Sequence, residues 1–272
     1  MTTKPTKVRM AELTGGEARE AYARRPIILL PMGSHEDQGP HAPMGDFLLA
    51  DRMAELIARR ATEDGTETYV APTLPFGGAD YFGHMPGGMA MSQATLRAVI
   101  RDLLDCLLRH GLDRLIVLNG HGGNVQAVHD ECQAVYRARK VLIPSLYLWR
   151  VTNAPLVRIL GAEKAKQTMG HGADPLSSLY MHFFPDLVRH DMIPAPQPLP
   201  SVLGMPVTGF PTASFEGTDI HVPVELDELA PNGVRAGDPR LCSAETGRQL
   251  AEELAAFGAR FVRHFAEQTA RQ

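Results

Sequence analysis

Residues 115–124 read LIVLNGHGGN, and apolar side chains then recur at Val125, Val128, Cys132 and Val135. Leu115 to Leu118 is a short unbroken apolar run closed by Asn119-Gly120, the pattern of a strand buried on both faces. The spacing of three and four that follows marks an amphipathic helix. A buried strand, a glycine-rich turn and a helix make half of a βαβ unit, and chains built this way form mostly parallel sheets covered by helices. His121 then projects from the carboxyl end of a strand, where open α/β sheets bind ligands, between glycines that leave room for one. Read alone, the glycines also suit a phosphate cradle or a plain strand-to-helix turn. They do not fit the dinucleotide fingerprint.

The same alternation extends in both directions. Ile27 to Pro31 (IILLP) is a second buried run, stopped at Gly33. Leu48, Leu49, Met53, Leu56 and Ile57 fall at helical spacing, as do Leu96, Val99, Ile100, Leu103, Leu104 and Leu107. Tyr69 to Ala71 is a weaker strand closed by Pro72, and Val141 to Ile143 with Ser145 to Leu148 suggest another around Pro144. Leu250, Leu254, Phe257 and Phe261 mark a late helix. The pattern predicts one α/β domain over 1–272, in three layers, with a central mostly parallel sheet flanked by helices and residues 1–25 at its periphery. Six prolines, at 194, 196, 198, 200, 206 and 211, predict an irregular loop over 194–211 that wraps the surface or covers the site.

Composition narrows the function. The 272 residues are 44% hydrophobic and 21% charged, an ordinary globular balance for a chain that can bury its own core. A formal net charge of -4 without a long basic run excludes a nucleic-acid footprint and a polybasic membrane anchor. Cys106, Cys132 and Cys242 are odd in number and dispersed, which argues for free thiols. The first residues lack the apolar core of a signal peptide, and no run reaches the length of a membrane span. A cytoplasmic enzyme with a small-molecule substrate is the expectation.

Two further polar clusters carry chemistry. Residues 33–46 read GSHEDQGPHAPMGD and place Glu36, Asp37, His41 and Asp46 in a loop directly after a strand. Oxygen and imidazole donors on a stiff backbone are what divalent cations require. The alternative is a solvated loop in which Asp46 caps the next helix. Residues 169–174 read MGHGAD and open a helix expected to run through Leu179 to Phe184. His171 and Asp174 there either face a pocket or, for Asp174, cap the helix with Pro175 in its first turn.

Taken together, GSHEDQGPHAPMGD, NGHGGN and HGADPLSS resemble the creatininase (creatinine amidohydrolase) family, whose usual pattern is G-S-x-E-Q-H-G-P-H-L-P, then Asp, then N-G-H-G-G-N, then H-A-G-E-x-E-T-S. The resemblance extends to PTLPFGG (72–78), PGGMAMSQATLRAV (86–99) and NGVRAGDPRLCSAETG (232–247). It implies a single α/β domain, assembly into hexamers or other homo-oligomers, and a site of one or two divalent metals. By matching positions it implies Glu36, Asp46 and His121 as metal ligands, Asp46 in the bridging position, with His41, His171 and Asp174 close by as proton-transfer groups.

The departures shape the expectation. Gln38 stands where the family usually has a histidine for the second metal, and Gly123 replaces a glutamate of creatinine-hydrolysing members. Asp174 and Leu176 replace two glutamates, and the connection to Asp46 is one residue shorter than usual. An amide and a leucine are poor replacements for such ligands. One zinc or manganese site is therefore expected, with Asp174 as a fourth ligand, and two metals as the alternative. Creatinine itself is not the expected substrate. In this reading Asp37 or Asp174 acts as base and His171 or His41 as acid, unless His41 only fixes the loop. Gln38, Asp80, Tyr81, His84 and Trp149 are candidates for the pocket wall. The substrate is a cyclic or formyl amide, or a cyclic polyol ketone opened by hydrolytic carbon–carbon cleavage, as in inosose-hydrolysing members. The alternative class is a metabolite-binding protein without catalysis on the same fold.

Overall fold

The computed structural model describes residues 7–198, 200–209 and 212–269, with the side chains of 226 and 227 left aside. Its central sheet is parallel. Strand β1 (Ile27–Met32) lies between β2 (Thr68–Val70) and β3 (Leu115–Asn119), and β4 (Ser145–Tyr147) pairs with the far edge of β3. The ladder between β1 and β3 runs from Ile28 opposite Leu115 to Met32 opposite Asn119. Helices follow in chain order: α1 (Gly15–Ala23), α2 (Phe47–Glu63), α3 (Gln93–Arg109), α4 (Val125–Arg139), α5 (Leu148–Val151), α6 (Asn153–Leu160), α7 (Ala162–Thr168), α8 (Leu176–Phe183), α9 (Leu226–Leu229) and α10 (Ala244–Thr269).

Strand alternation explains why the apolar runs are unbroken. Ile27, Leu29, Ile116 and Leu118 point to one face and pack with Leu49, Met53 and Ile57 of α2, Leu179 of α8 and Leu250 and Leu254 of α10. Ile28, Leu30, Met32, Leu115 and Val117 point to the other, against Leu96, Ile100 and Leu104 of α3 and Val128 and Cys132 of α4. Both faces are covered, so every residue of β1 and β3 must be apolar or hydrogen-bonded. No helix among the described residues is long and apolar enough to cross a membrane.

Two local expectations come out differently. The strand expected over 141–148 is only β4, because Pro144 has no N–H to extend the ladder and contributes its carbonyl to Val117 N instead, at 3.0 Å. Residues 7–25 are anchored where they lie: the Val8 side chain is buried and its carbonyl accepts from Val70 N at 2.7 Å, while Arg9 pairs with Asp51 and Glu55 of α2. Residues 1–6 lie outside the described residues.

The proline-rich stretch carries structure too. Strands β5 (Ser201–Val202) and β6 (Met205–Gly209) lie within it and join β7 (Thr212–Phe215) and β8 (Thr218–His221) in an antiparallel sheet of order β5-β6-β7-β8. Positions 199, 210 and 211 of that stretch lie outside the described residues. The inner side of this sheet places Val207 against Phe82, Leu229 and Ala230. The second sheet thereby supports one wall of the site.

Candidate active site

The carboxyl ends of β1 and β3 bring Glu36, Asp46 and His121 together. All three are buried, and one ligand atom from each lies within 4.8 Å of the others. His121 Nδ1 stands 3.1 Å from Asp46 Oδ2 and 3.3 Å from Glu36 Oε1. Its other nitrogen, Nε2, is 3.1 Å from the Gly78 carbonyl oxygen, which can only accept. Nε2 therefore carries a proton in either charge state of the ring, and Nδ1 is the nitrogen that faces the two carboxylates.

Asp46 occupies the position before α2 but makes no side-chain cap there. Its Oδ1 accepts from Ser34 N at 2.6 Å, which turns the carboxylate back towards β1 and His121. The tight approach needs Gly33, where a Cβ would stand 2.4 Å from Asp46 Oδ1. Gly45 reaches the same end with a φ of +116°, open to glycine, and Tyr180 Oη of α8 donates to its carbonyl at 2.6 Å. Burial opposes charge at each member of the trio. Even so, the two carboxylates hold His121 well above the usual imidazole range. The His121 ring brings Glu36 below its ordinary value, while burial, with Glu36 beside it, keeps Asp46 above the usual carboxylate range.

Donors do not fill this cluster. Glu36 Oε2 and Gln38 Oε1 are buried acceptors without a hydrogen-bond partner, and Gln38 Nε2 donates to Glu36 Oε1 at 3.1 Å. Buried acceptors left over beyond the donors beside them are what a divalent cation satisfies, so the residues present fit such an ion. The trio opens on a cavity of ≈ 260 Å³ whose wall includes Tyr81, Phe82, Tyr147, Trp149, Arg150 and His171.

Comparison with known proteins fits this geometry. The family model described as creatinine amidohydrolase matches residues 11–262. The chain belongs to the creatininase family. The creatinine amidohydrolase of Pseudomonas putida is 27% identical over 181 residues, 61% of this chain and 68% of its own length. A 3-dehydro-scyllo-inosose hydrolase of Thermotoga maritima is 31% identical over 121 residues, 44% of this chain and 37% of its own length. A crystal structure of creatinine amidohydrolase shares the fold with a TM-score of 0.77 at 23% identity, covering 95% of this chain and 97% of that one. This creatininase-family chain is thus an α/β metal-dependent hydrolase by descent.

The remaining candidates from the sequence fall in different places. His171 lines the cavity, donates from Nδ1 to the Gly233 carbonyl at 2.8 Å and turns Nε2 towards Glu36 Oε1 at 3.5 Å. Its ring stacks on Phe82, with centroids 4.7 Å apart. Asp174 also lines the cavity, outside the trio. It accepts from Ser178 Oγ, and its Oδ2 is buried without a partner. Pro175, joined to Asp174 by a cis peptide, takes the position before α8, and burial pushes the Asp174 carboxyl up.

His41 is buried away from the cavity wall. Its Nε2 donates to Ser177 Oγ at 2.9 Å, and that hydroxyl donates to the Gly172 carbonyl at 2.9 Å, linking the first polar loop to the third. Asp37 accepts from Gly39 N at 2.7 Å and shapes the loop. Gln38, Tyr81 and Trp149 line the cavity, whereas Asp80 and His84 are exposed and do not. The Trp149 Nε1–H donates to the Gly120 carbonyl, fixing the ring beside His121.

Sequence reasoning missed Tyr147 and Arg150. Tyr147 is the last residue of β4, paired with Asn119, and Arg150 follows on α5. The rule that ligands sit at strand ends pointed there as well, but the short, Pro-bordered strand gave no clear end from which to count.

Proposed function

We propose that this chain hydrolyses a carbonyl-containing bond in a small polar substrate, most directly a cyclic or formyl amide, with one zinc or manganese ion held by Glu36, Asp46 and His121. The observation that carries this reading is the buried trio itself, with its acceptors converging at the carboxyl ends of β1 and β3 on a cavity of ≈ 260 Å³. A bound divalent cation supplies Lewis-acid polarisation of the substrate carbonyl and acidifies the attacking water.

The chain's own groups do the rest. Gly78 fixes the His121 tautomer and Gln38 Nε2 steadies Glu36, the outer contacts that orient such ligands. His171, with its Nδ1 proton directed to Gly233, keeps Nε2 facing the cavity, placed to take a proton from the attacking water and pass it to the leaving group. Phe82 behind His171, and Trp149 held by Gly120, exclude water from the same wall. Gln38 in place of a histidine, and glycine at 123, support one ion over two.

The substrate class is tested by a panel. Ring opening of lactams to amino acids, or formate release from formamides, supports the amide reading. Ring opening of inososes with no turnover of amides would replace it by carbon–carbon cleavage. Ligand binding without turnover in the metal-loaded protein would make the chain a metabolite-binding protein.

A further inference from the structure

Three of the residues lining the cavity are acids (Glu36, Asp46 and Asp174), and one, Arg150, is an arginine. Arg150 lies on α5, directly beyond β4, with its side chain exposed at the cavity. Among the described residues its guanidinium has no carboxylate partner; it stands 5.9 Å from the centroid of the Tyr147 ring. Exposed arginines are common. What sets this one apart is where its platform leads. The Tyr147 hydroxyl lies 3.5 Å from where a Cβ on Gly122 would stand, next to His121. The tyrosine therefore carries Arg150 over its ring and sets its hydroxyl by Gly122, the neighbour of His121 in the trio. A ring beneath the guanidinium restrains its plane and leaves its edge N–H donors available for a planar anion.

We propose that Arg150 receives a carboxylate of the substrate, so that the substrate is a small acid whose reacting carbonyl lies at the trio. This rests on the trio being the reacting end. Charge balance selects the carboxylate. One guanidinium matches one negative charge through a bidentate pair, whereas a phosphate dianion would add charge to a wall already lined by Glu36, Asp46 and Asp174. The same field lowers the value of a neutral substrate, which would leave Arg150 without a role in recognition.

The sole tryptophan of the chain, Trp149, lines this cavity, so its fluorescence reports occupancy directly. The experiment titrates the metal-loaded protein with N-formylglycine, with its neutral analogue N-formylglycinamide, and with (formylamino)methylphosphonate, while formate release is followed in the same solutions. N-formylglycine should bind at least tenfold more tightly than N-formylglycinamide. Arg150→Gln should bring the two to within about twofold, and Arg150→Lys should retain part of the preference. Equal binding of acid and neutral amide, a preference that survives Arg150→Gln, or no response to any of the three overturns the assignment. Tighter binding of the phosphonate overturns the carboxylate. Acid preference without formate release from any of the three leaves Arg150 assigned and removes formyl amide hydrolysis. Formate release without acid preference does the reverse.

Discussion

The Gly78 carbonyl oxygen, 3.1 Å from His121 Nε2, decides what His121 can do. With that nitrogen committed as donor, Nδ1 is the atom left to face Glu36 and Asp46, and the three side chains form a cage around one position. A backbone atom sets the tautomer, so no side-chain substitution at 78 is needed to maintain it.

The first prediction follows from that cage. Metal-loaded wild-type protein should hold one divalent ion per chain, measured by elemental analysis after gel filtration. Glu36→Gln, Asp46→Asn and His121→Ala should each weaken retention by more than the roughly 100-fold that loss of an outer contact costs, with hydrolysis falling in parallel. Full metal content in all three variants would remove the site from Glu36, Asp46 and His121.

Much of this was readable from the chain because parallel strands buried on both faces leave unbroken apolar runs. Ile27–Met32 and Leu115–Asn119 show it, and their ends locate the polar clusters, from which the family resemblance singles out Glu36, Asp46 and His121. The second sheet left no such trace. Its strands are short and mostly exposed, and Thr218–His221 has no buried residue. Its turns place Leu203-Gly204 and Glu216-Gly217 at positive φ, a hairpin geometry that Asn-Gly or Asp-Gly announces and Leu-Gly does not. The His121 tautomer was equally hidden, since its partner lies 43 residues away. His41 shows the converse. A histidine amid metal-ligand residues reads as chemistry, yet its ring ties loop to helix through Ser177.

Gly123 should resist reversion to the glutamate of creatinine-hydrolysing relatives. A Cβ there would stand 2.3 Å from the Gly78 carbonyl oxygen and 2.7 Å from His121 Nε2. Gly123→Glu should therefore push apart the Gly78–His121 contact, lower stability by about 1–3 kcal/mol and reduce metal content. Elemental analysis with a urea titration checks both. A rise to two ions per chain at unchanged stability would show that the turn can move aside.

Stability should fall between pH 6.5 and 4 through His41. Burial, with His190 as a lesser cause, lowers its folded value from 6.5 to about 4. Across that window the unfolded chain binds the proton and the native ring does not, so acidification favours unfolding; above 6.5 the contribution is complete. His41→Gln keeps a donor for Ser177 Oγ and cannot titrate. Denaturant titrations at several pH values should show wild type losing on the order of 1–3 kcal/mol relative to this variant as pH falls. Parallel stability curves for the two proteins would show that His41 does not titrate this way.

The site should also feel a change made from behind it. Tyr180 is fully buried on α8, and its hydroxyl donates to the carbonyl of Gly45, the residue before Asp46. Tyr180→Phe keeps the ring and leaves that carbonyl without its donor, at a cost of about 1–2 kcal/mol. Because Gly45 at φ +116° sets the path of the chain into Asp46, the loss should loosen the Asp46 carboxylate as well as the fold. Metal affinity should fall with stability, though less than in Asp46→Asn, and thermal unfolding followed with and without added metal separates the two effects. A variant that loses stability but keeps wild-type metal affinity would mean that Ser34 N alone holds Asp46 in place.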